Sequence, residues 1–374
     1  MSSAAAPRPL LTRQPFRFLY TTFTFASLPL RLLAIALYRI PTFSRQHPKW
    51  TWHQAVANQI FAIYWRYLTA VEYRTPKSLE PGSEKGRFVV IAPPSTGDSP
   101  YRGIANSDPA IRPGVVGGVW YTAPPPPGDP PELVVIHFHG GAYVLGGVRP
   151  MESGWGPEVL SKHMGCPVLQ PQYRLANEEN SSFPAALQDA ITAYVYVLKT
   201  LKVRPENVVL SGDSAGANLA VALLRYLHEE GKKVLPLPRA ALLWGPWLDL
   251  RVEPAKVDSH PSISTDYLFG SLLEWGARSL TPAGWSSGHP YISPLGNEFH
   301  SRVPIFIQTG TAEVLYDQHL QFAAGMRDKG SRVELMEIKY APHDTFAAGV
   351  ILGFAKEAED ATDHATRFVQ GAGG

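Results

Sequence analysis

From about Val115 onward, short apolar runs alternate with stretches whose apolar residues recur every three or four positions. The runs at 133–138, 168–172, 208–211, 241–244, 303–308 and 333–338 read as strands. Between them the spacing predicts helices. One covers 184–201, with Leu187, Ile191, Tyr194 and Leu198 on one face; another follows Ser214; a third covers 320–329. Near-continuous apolar strands joined by helices imply an α/β fold with a mostly parallel central sheet covered by helices on both faces. Ligand sites in such sheets lie beyond the C-terminal ends of the strands.

The first 75 residues have a different pattern. Residues 16–40, FRFLYTTFTFASLPLRLLAIALYRI, are mostly apolar and follow Arg13, with Arg17 near their start. The stretch has the roughly 20 residues a spanning helix needs. Arg31 interrupts it beside Pro29, and a charge at mid-membrane is costly. No convincing small-residue cleavage site follows, as it would in a signal peptide. Two readings stay open: an amphipathic or tilted membrane-associated helix, and a helix packed on the domain as part of a lid. In residues 54–73, Val56, Ile60, Ile63, Tyr67 and Val71 recur at helical spacing. That helix would pack beside the first or wall a pocket. The expected organisation is a helical segment at 1–75 and a main domain at 76–374.

Bulk composition narrows the function classes. The chain has 374 residues, 45% of them hydrophobic, enough for one large domain or two smaller ones. Its formal net charge of +2 gives no argument for a nucleic-acid partner. A single cysteine, Cys166, excludes an internal disulfide and a cysteine-based zinc site. The densest of the prolines, APPPPGDPP at 123–131, reads as a stiff exposed connection between two strands.

Two glycine-rich turns carry the chemistry. Gly212-Asp213-Ser214-Ala215-Gly216 follows an apolar strand and opens a helix. This is the G-x-S-x-G elbow, in which a sharp turn strains the serine backbone and exposes its Oγ. Ser214 is the candidate nucleophile, and the Ala215 N–H at the helix start is a candidate donor to a developing oxyanion. The second turn, His139-Gly140-Gly141, follows the strand at 133–138. Without a Cβ, Gly140 and Gly141 let their N–H groups approach the same oxyanion. His139 is expected to pin this loop by hydrogen bonds. His137 faces the other side of the strand and reads as a satisfied core histidine.

With these motifs the chain resembles the α/β-hydrolase superfamily, and within it the hormone-sensitive-lipase-like serine esterases. The resemblance rests on HGGA at 139–142, YRLA at 173–176, FPAALQDA at 183–190, GDSAG at 212–216, ISPL at 292–295, GTAEVLYD at 310–317 and PHDTF at 342–346. It covers about 115–368. Three motifs depart from the family's pattern: HGGG reads HGGA, YRLAPE reads YRLANE with Asn177, and the acid motif reads Glu313-Val314-Leu315-Tyr316-Asp317.

The chain order Ser, acid, His places the base late. His343 occupies that position, while His364 lies in a charged, helix-like tail. Glu313 aligns with the family's acid, and Asp317 is its competitor. The resemblance also implies a helical cap, formed by an insertion at about 247–300 together with the N-terminal helices. The insertion carries Trp247, Tyr267, Leu268, Phe269, Trp275, Trp285 and Tyr291, most of which are expected to pack the cap's own core.

The reading is a serine hydrolase that cleaves carboxylic esters of hydrophobic small molecules through an acyl-enzyme, without metal or nucleotide cofactor. Loosely, it is similar to fungal members acting on secondary metabolites. An amidase or acyltransferase would use the same machinery, and a non-catalytic ligand-binding member would not need Ser214, Glu313 and His343. The N-terminus leaves two locations, membrane-associated with the catalytic domain cytoplasmic, or soluble cytoplasmic.

Overall fold

The computed structural model describes residues 9–94, 99–126 and 128–372. Eight strands form one sheet: β1 Phe88–Ile91, β2 Val116–Tyr121, β3 Val134–Phe138, β4 Val168–Gln172, β5 Val208–Asp213, β6 Ala240–Trp244, β7 Ile305–Gly310 and β8 Val333–Ile338. Their order across the sheet is β1-β2-β4-β3-β5-β6-β7-β8. The β1/β2 and β2/β4 pairs are antiparallel; all others are parallel. In the parallel region β3, β5, β6 and β7 are mostly apolar and are buried along their whole length. Apolar side chains on both faces are what helices packed on both faces require.

The six strands given bounds from the sequence are present, with ends shifted by up to two residues; β1 was not expected, and β2 was implied only as the strand ahead of the proline-rich connection. His137 interrupts the apolar run of β3, and its register partner on β5 is Ser211, whose Oγ lies 2.9 Å from Nδ1. This polar pair lets a histidine sit in a buried strand without an unmet hydrogen bond.

The helices, in chain order, are α1 Phe16–Tyr38, α2 Trp52–Ala70, α3 Pro150–Ser153, α4 Trp155–Met164, α5 Ala185–Val195, α6 Ala215–Glu229, α7 Pro254–Asp258, α8 Gly270–Leu280, α9 Tyr316–Asp328, α10 Thr345–Leu352 and α11 Ala355–Gln370. α6 follows the Ser214 turn and is buried on all sides through most of its length, the mark of a core helix. α7 and α8 belong to the long connection between β6 and β7, the expected insertion. The proline-rich stretch links β2 to β3 and is largely exposed; its residue 127 lies outside the described residues.

α2 opens with a full capping box. Thr51 accepts from the Gln54 N–H, and the Gln54 side chain accepts from the Thr51 N–H. Its expected stripe is not a single core face. Val56 and Val71 are buried, but Tyr67 faces α1 and Ile60 is exposed. The helix packs on two sides: against α1, and over the C-terminal edge of the sheet, where Ala57, Phe61, Trp65 and Leu68 wall a cavity. A helix with two apolar contacts has no single hydrophobic stripe. Among the described residues, α1 is the one helix long and apolar enough to cross a bilayer by length and composition.

Candidate active site

Ser214 stands where β5 turns into α6, with φ 50° and ψ −114°, a conformation a non-glycine residue adopts only under constraint. The constraint is close packing. A Cβ on Gly212 would run into the Gly216 carbonyl, and a Cβ on Gly216 into the Phe138 carbonyl. The Ser214 N–H donates to the Trp244 carbonyl at 2.8 Å, and the Trp247 N–H donates to the Ser214 carbonyl at 3.0 Å. The serine is thus fixed on both sides at the end of the sheet.

His343 lies in the loop between β8 and α10, and Glu313 in the turn after β7. The structure brings the three side chains into one hydrogen-bonded series. His343 Nε2 is 2.9 Å from Ser214 Oγ, and His343 Nδ1 is 2.6 Å from Glu313 Oε2. The other oxygen, Oε1, accepts from the Gly310 N–H at 2.7 Å and from the Thr309 hydroxyl at 3.0 Å. All three residues are buried. Asp317, the competing acid, is exposed in the first turn of α9, and His364 pairs with Glu334 away from the serine.

Charge around the imidazole favours its protonated form. Burial alone would lower the His343 pKa. The hydrogen bond to Glu313 and the charges of Glu313, Asp266 and Asp344 outweigh burial and raise it to about 9. For Glu313, burial works upward, but His319 and the hydrogen bond from His343 leave its pKa below the ordinary carboxylate value. Asp266 is fixed by the N–H groups of Tyr267, Leu268 and Val314, at 2.7, 3.2 and 2.7 Å.

The oxyanion loop corrects one expectation. The Gly140 N–H donates to Asp213 Oδ2 at 2.7 Å, so it is already engaged and is not available to a substrate. The physical reason is the carboxylate beside Ser214, which reaches across from β5 to the loop. The Gly141 and Ala215 N–H groups have no backbone acceptor among the described residues, which leaves two candidate donors where three were expected. His139 holds the loop as anticipated in kind: its Nδ1 donates to the Gly140 carbonyl at 2.7 Å, and its ring stacks on Tyr173 at 4.5 Å.

Sequence reasoning missed the role of Asp213 and Asp344. Their buried carboxyls hydrogen-bond to each other. Two carboxylates offer no donor, so the pair holds a shared proton. Burial raises Asp213 to about 6 and, together with the neighbouring Asp213 charge, lifts Asp344 well above the carboxylate range. Asp213 Oδ1 also meets His137 Nε2 at 2.9 Å, and Asp344 Oδ1 accepts from the Ala347 N–H at 3.1 Å. The pair therefore ties the oxyanion loop, the nucleophile turn and the histidine loop together. The only sequence signal was an aspartate beside each of Ser214 and His343.

These groups form the floor of a cavity of about 720 Å³. Its walls are mostly apolar: Phe61, Trp65 and Leu68 from α2, Tyr267, Leu268, Leu272 and Leu273 from the β6–β7 insertion, and Ala347 and Ile351 from α10. Of the insertion's aromatic residues, Tyr267 alone reaches the cavity; Trp247, Phe269 and Trp275 are buried in packing elsewhere. Among the described residues, no three His, Cys, Asp or Glu side chains gather as a metal-holding cluster.

Comparison with known proteins agrees with this architecture. An acetyl-hydrolase of Streptomyces hygroscopicus is 37% identical over 183 residues, 49% of this chain and 58% of that protein. The chain thus spans little more than half the length of that curated relative. Among solved structures, an esterase/lipase from an uncultured bacterium superposes with a TM-score of 0.58 at 27% identity, covering 69% of this chain and 82% of that one. A hormone-sensitive lipase from a metagenome library shares the fold, with a TM-score of 0.58 at 24% identity and the same coverage. The family model for the alpha/beta hydrolase fold matches residues 135–347, more than half of the chain and the whole span from β3 to the start of α10, so the protein belongs to the alpha/beta hydrolase fold family.

Proposed function

We propose that the protein is a serine hydrolase that cleaves carboxylic esters of hydrophobic small molecules through an acyl-enzyme. The observation that carries this reading is the series Ser214 Oγ, His343 Nε2, His343 Nδ1, Glu313 Oε2, with Ser214 and His343 lining an apolar cavity and Glu313 buried behind them. His343 takes the serine proton as Oγ attacks the ester carbonyl carbon. The tetrahedral oxyanion is met by the N–H groups of Gly141 and Ala215, the latter at the positive end of α6. Collapse expels the alcohol, which leaves with the proton from His343. Water then repeats the sequence on the acyl-serine and releases the acid. Glu313 keeps the imidazole proton on Nδ1 and stabilises the imidazolium. The relatives named esterase and carboxylesterase favour ester over amide leaving groups, whereas the name acetyl-hydrolase gives the acyl group and not the bond.

The test is a series of p-nitrophenyl esters of rising acyl length, with wild type and Ser214→Ala compared side by side. Cleavage by wild type is expected, with an optimum set by the 720 Å³ cavity, which lies within the roughly 300–1,000 Å³ of small-molecule sites. A folded protein that cleaves amides but no ester would overturn the ester assignment.

A pH profile follows from the same site. Only the neutral imidazole can accept the serine proton, and the folded pKa of His343 is raised from 6.5 to about 9. Protonated His343 therefore predominates at neutral pH, and kcat/KM is expected to rise as pH increases toward 9. Initial rates on an ester with a pH-insensitive readout check this. A limb centred near 6.5 would show that Glu313 and its acidic neighbours do not raise the base.

A further inference from the structure

We propose that the protein seats on the surface of a lipid bilayer with α1 lying in the membrane plane, so that the cavity mouth opens against the lipid. This rests on the hydrolase reading only for what the mouth admits: an ester dissolved in the bilayer.

The first observation is how α1 is held. Tyr20 and Phe25 pack on the Tyr67 ring at centroid distances of 6.1 and 5.4 Å, and Thr21 Oγ1 lies 3.2 Å from the Tyr67 hydroxyl. Toward the other end, Trp52 Nε1 donates to the Ala36 carbonyl at 2.8 Å, and Arg39 Nε to Gln59 Oε1 at 2.9 Å. α1 is therefore bound lengthwise and antiparallel along α2. Crossing a hydrocarbon core of about 30 Å in this arrangement would carry α2, a wall of the cavity, into the membrane as well. An in-plane helix needs no such immersion.

The second observation is the sidedness of α1. Thr24 and Ile35 are buried toward the domain, whereas Phe18, Phe23, Leu30, Leu33 and Leu37 are each more than half exposed. At 100° per residue these five share one broad face. Arg17 and Arg31 fall on the opposite side. Arg31, an obstacle to a spanning helix, then stands at headgroup level, where arginines complement anionic lipid.

The third observation is where the mouth lies. On α2, Ile60 and Tyr64 occupy the arc between the α1 contact and the cavity wall. They rim the cavity with Met151 of α3 and Ile351 of α10. Tyr64 is 53% exposed, Met151 96% and Ile351 53%. An apolar rim beside an exposed apolar helix is the kind of surface that marks a membrane contact.

The experiment uses the full chain and vesicles of phosphatidylcholine with a minor share of phosphatidylglycerol. In flotation, wild type is expected to rise with the vesicles. The Leu30→Lys, Leu33→Lys double variant is expected to lose at least tenfold in partition, with turnover of a short, water-soluble p-nitrophenyl ester unchanged. Spin labels at Met151→Cys and Ile351→Cys, in a Cys166→Ser background, are expected to gain accessibility to oxygen over a nickel chelate when vesicles are added. In sealed vesicles, Thr12→Cys and Phe43→Cys, at the two ends of α1, should both react with an impermeant maleimide from outside. Reaction at one end only would show that α1 spans and would overturn the proposal. So would a chain that stays with the aqueous fraction, whether as a monomer or as a dimer that needs Leu30 and Leu33. Vesicle binding without any ester turnover would instead sink the hydrolase reading and leave the lipid-facing mouth standing.

Discussion

Replacing Ser214 by alanine is expected to lower kcat on p-nitrophenyl esters by about 10⁵- to 10⁶-fold, as loss of a serine nucleophile does in a comparable series. KM should change little, because the hydroxyl is one small group on the floor of a cavity whose walls come from α2, the β6–β7 insertion and α10. The fold should survive. An alanine keeps the same backbone demands, and the turn is held by contacts the hydroxyl does not make, the hydrogen bonds to Trp244 and Trp247 and the close approach of Gly212 and Gly216. Circular dichroism and thermal unfolding would establish that the variant is folded, and steady-state rates with a burst-phase measurement would read the chemistry. The burst of p-nitrophenol should vanish with the turnover, since no acyl-serine can form. A folded Ser214→Ala protein retaining more than about a tenth of wild-type kcat would place the nucleophile elsewhere.

What could be read from the sequence divides by the range of the interaction. β3 to β8 were legible because most carry an apolar run that only burial explains. The bounds of β2 were not, because its first half is Val116-Gly117-Gly118, which carries little apolar signal. Its reason is tertiary: a Cβ on Gly117 would press on the Phe88 ring of β1 at 2.9 Å. At the site, Ser214 and the glycines around it announce themselves locally, since a turn that tight needs those residue types in that order. His343 was found by chain order. The state of the Gly140 N–H was not legible, because a carboxylate from a neighbouring strand decides it. The Asp213–Asp344 pair is hidden for the same reason: its members are 131 residues apart, and nothing near either one asks for the other. α2 shows the limit of periodicity, since a helix that packs on α1 and also walls a cavity presents two overlapping patterns.

The choice between the two acids of the Glu313 to Asp317 stretch has a sharp consequence. Glu313→Gln is expected to reduce kcat by about 10⁴-fold, the scale seen when the acid of such a triad becomes an amide. The surroundings dictate why. Glu313 Oε1 accepts from the Gly310 N–H and the Thr309 hydroxyl, so in the variant this corner keeps the amide oxygen. The amide NH₂ is then turned toward His343 Nδ1, now 2.6 Å from Oε2. A donor there makes Nδ1 an acceptor and moves the imidazole proton to Nε2, the nitrogen that must be bare to take the proton of Ser214. The raised pKa of His343 falls at the same time, because the hydrogen bond and charge of Glu313 are its largest upward contributions. The residual activity of Glu313→Gln should accordingly rise at a lower pH than that of wild type, a shift that simple misfolding would not produce. Asp317→Asn is expected to stay within about twofold of wild type. Asp317 is exposed at the start of α9, where a carboxylate contributes a few tenths of a kcal/mol to about 1 kcal/mol through the helix dipole and touches no reacting group. Rate measurements on both variants across the pH range decide the matter: a crippled Asp317→Asn beside an active Glu313→Gln would reverse the assignment of the acid.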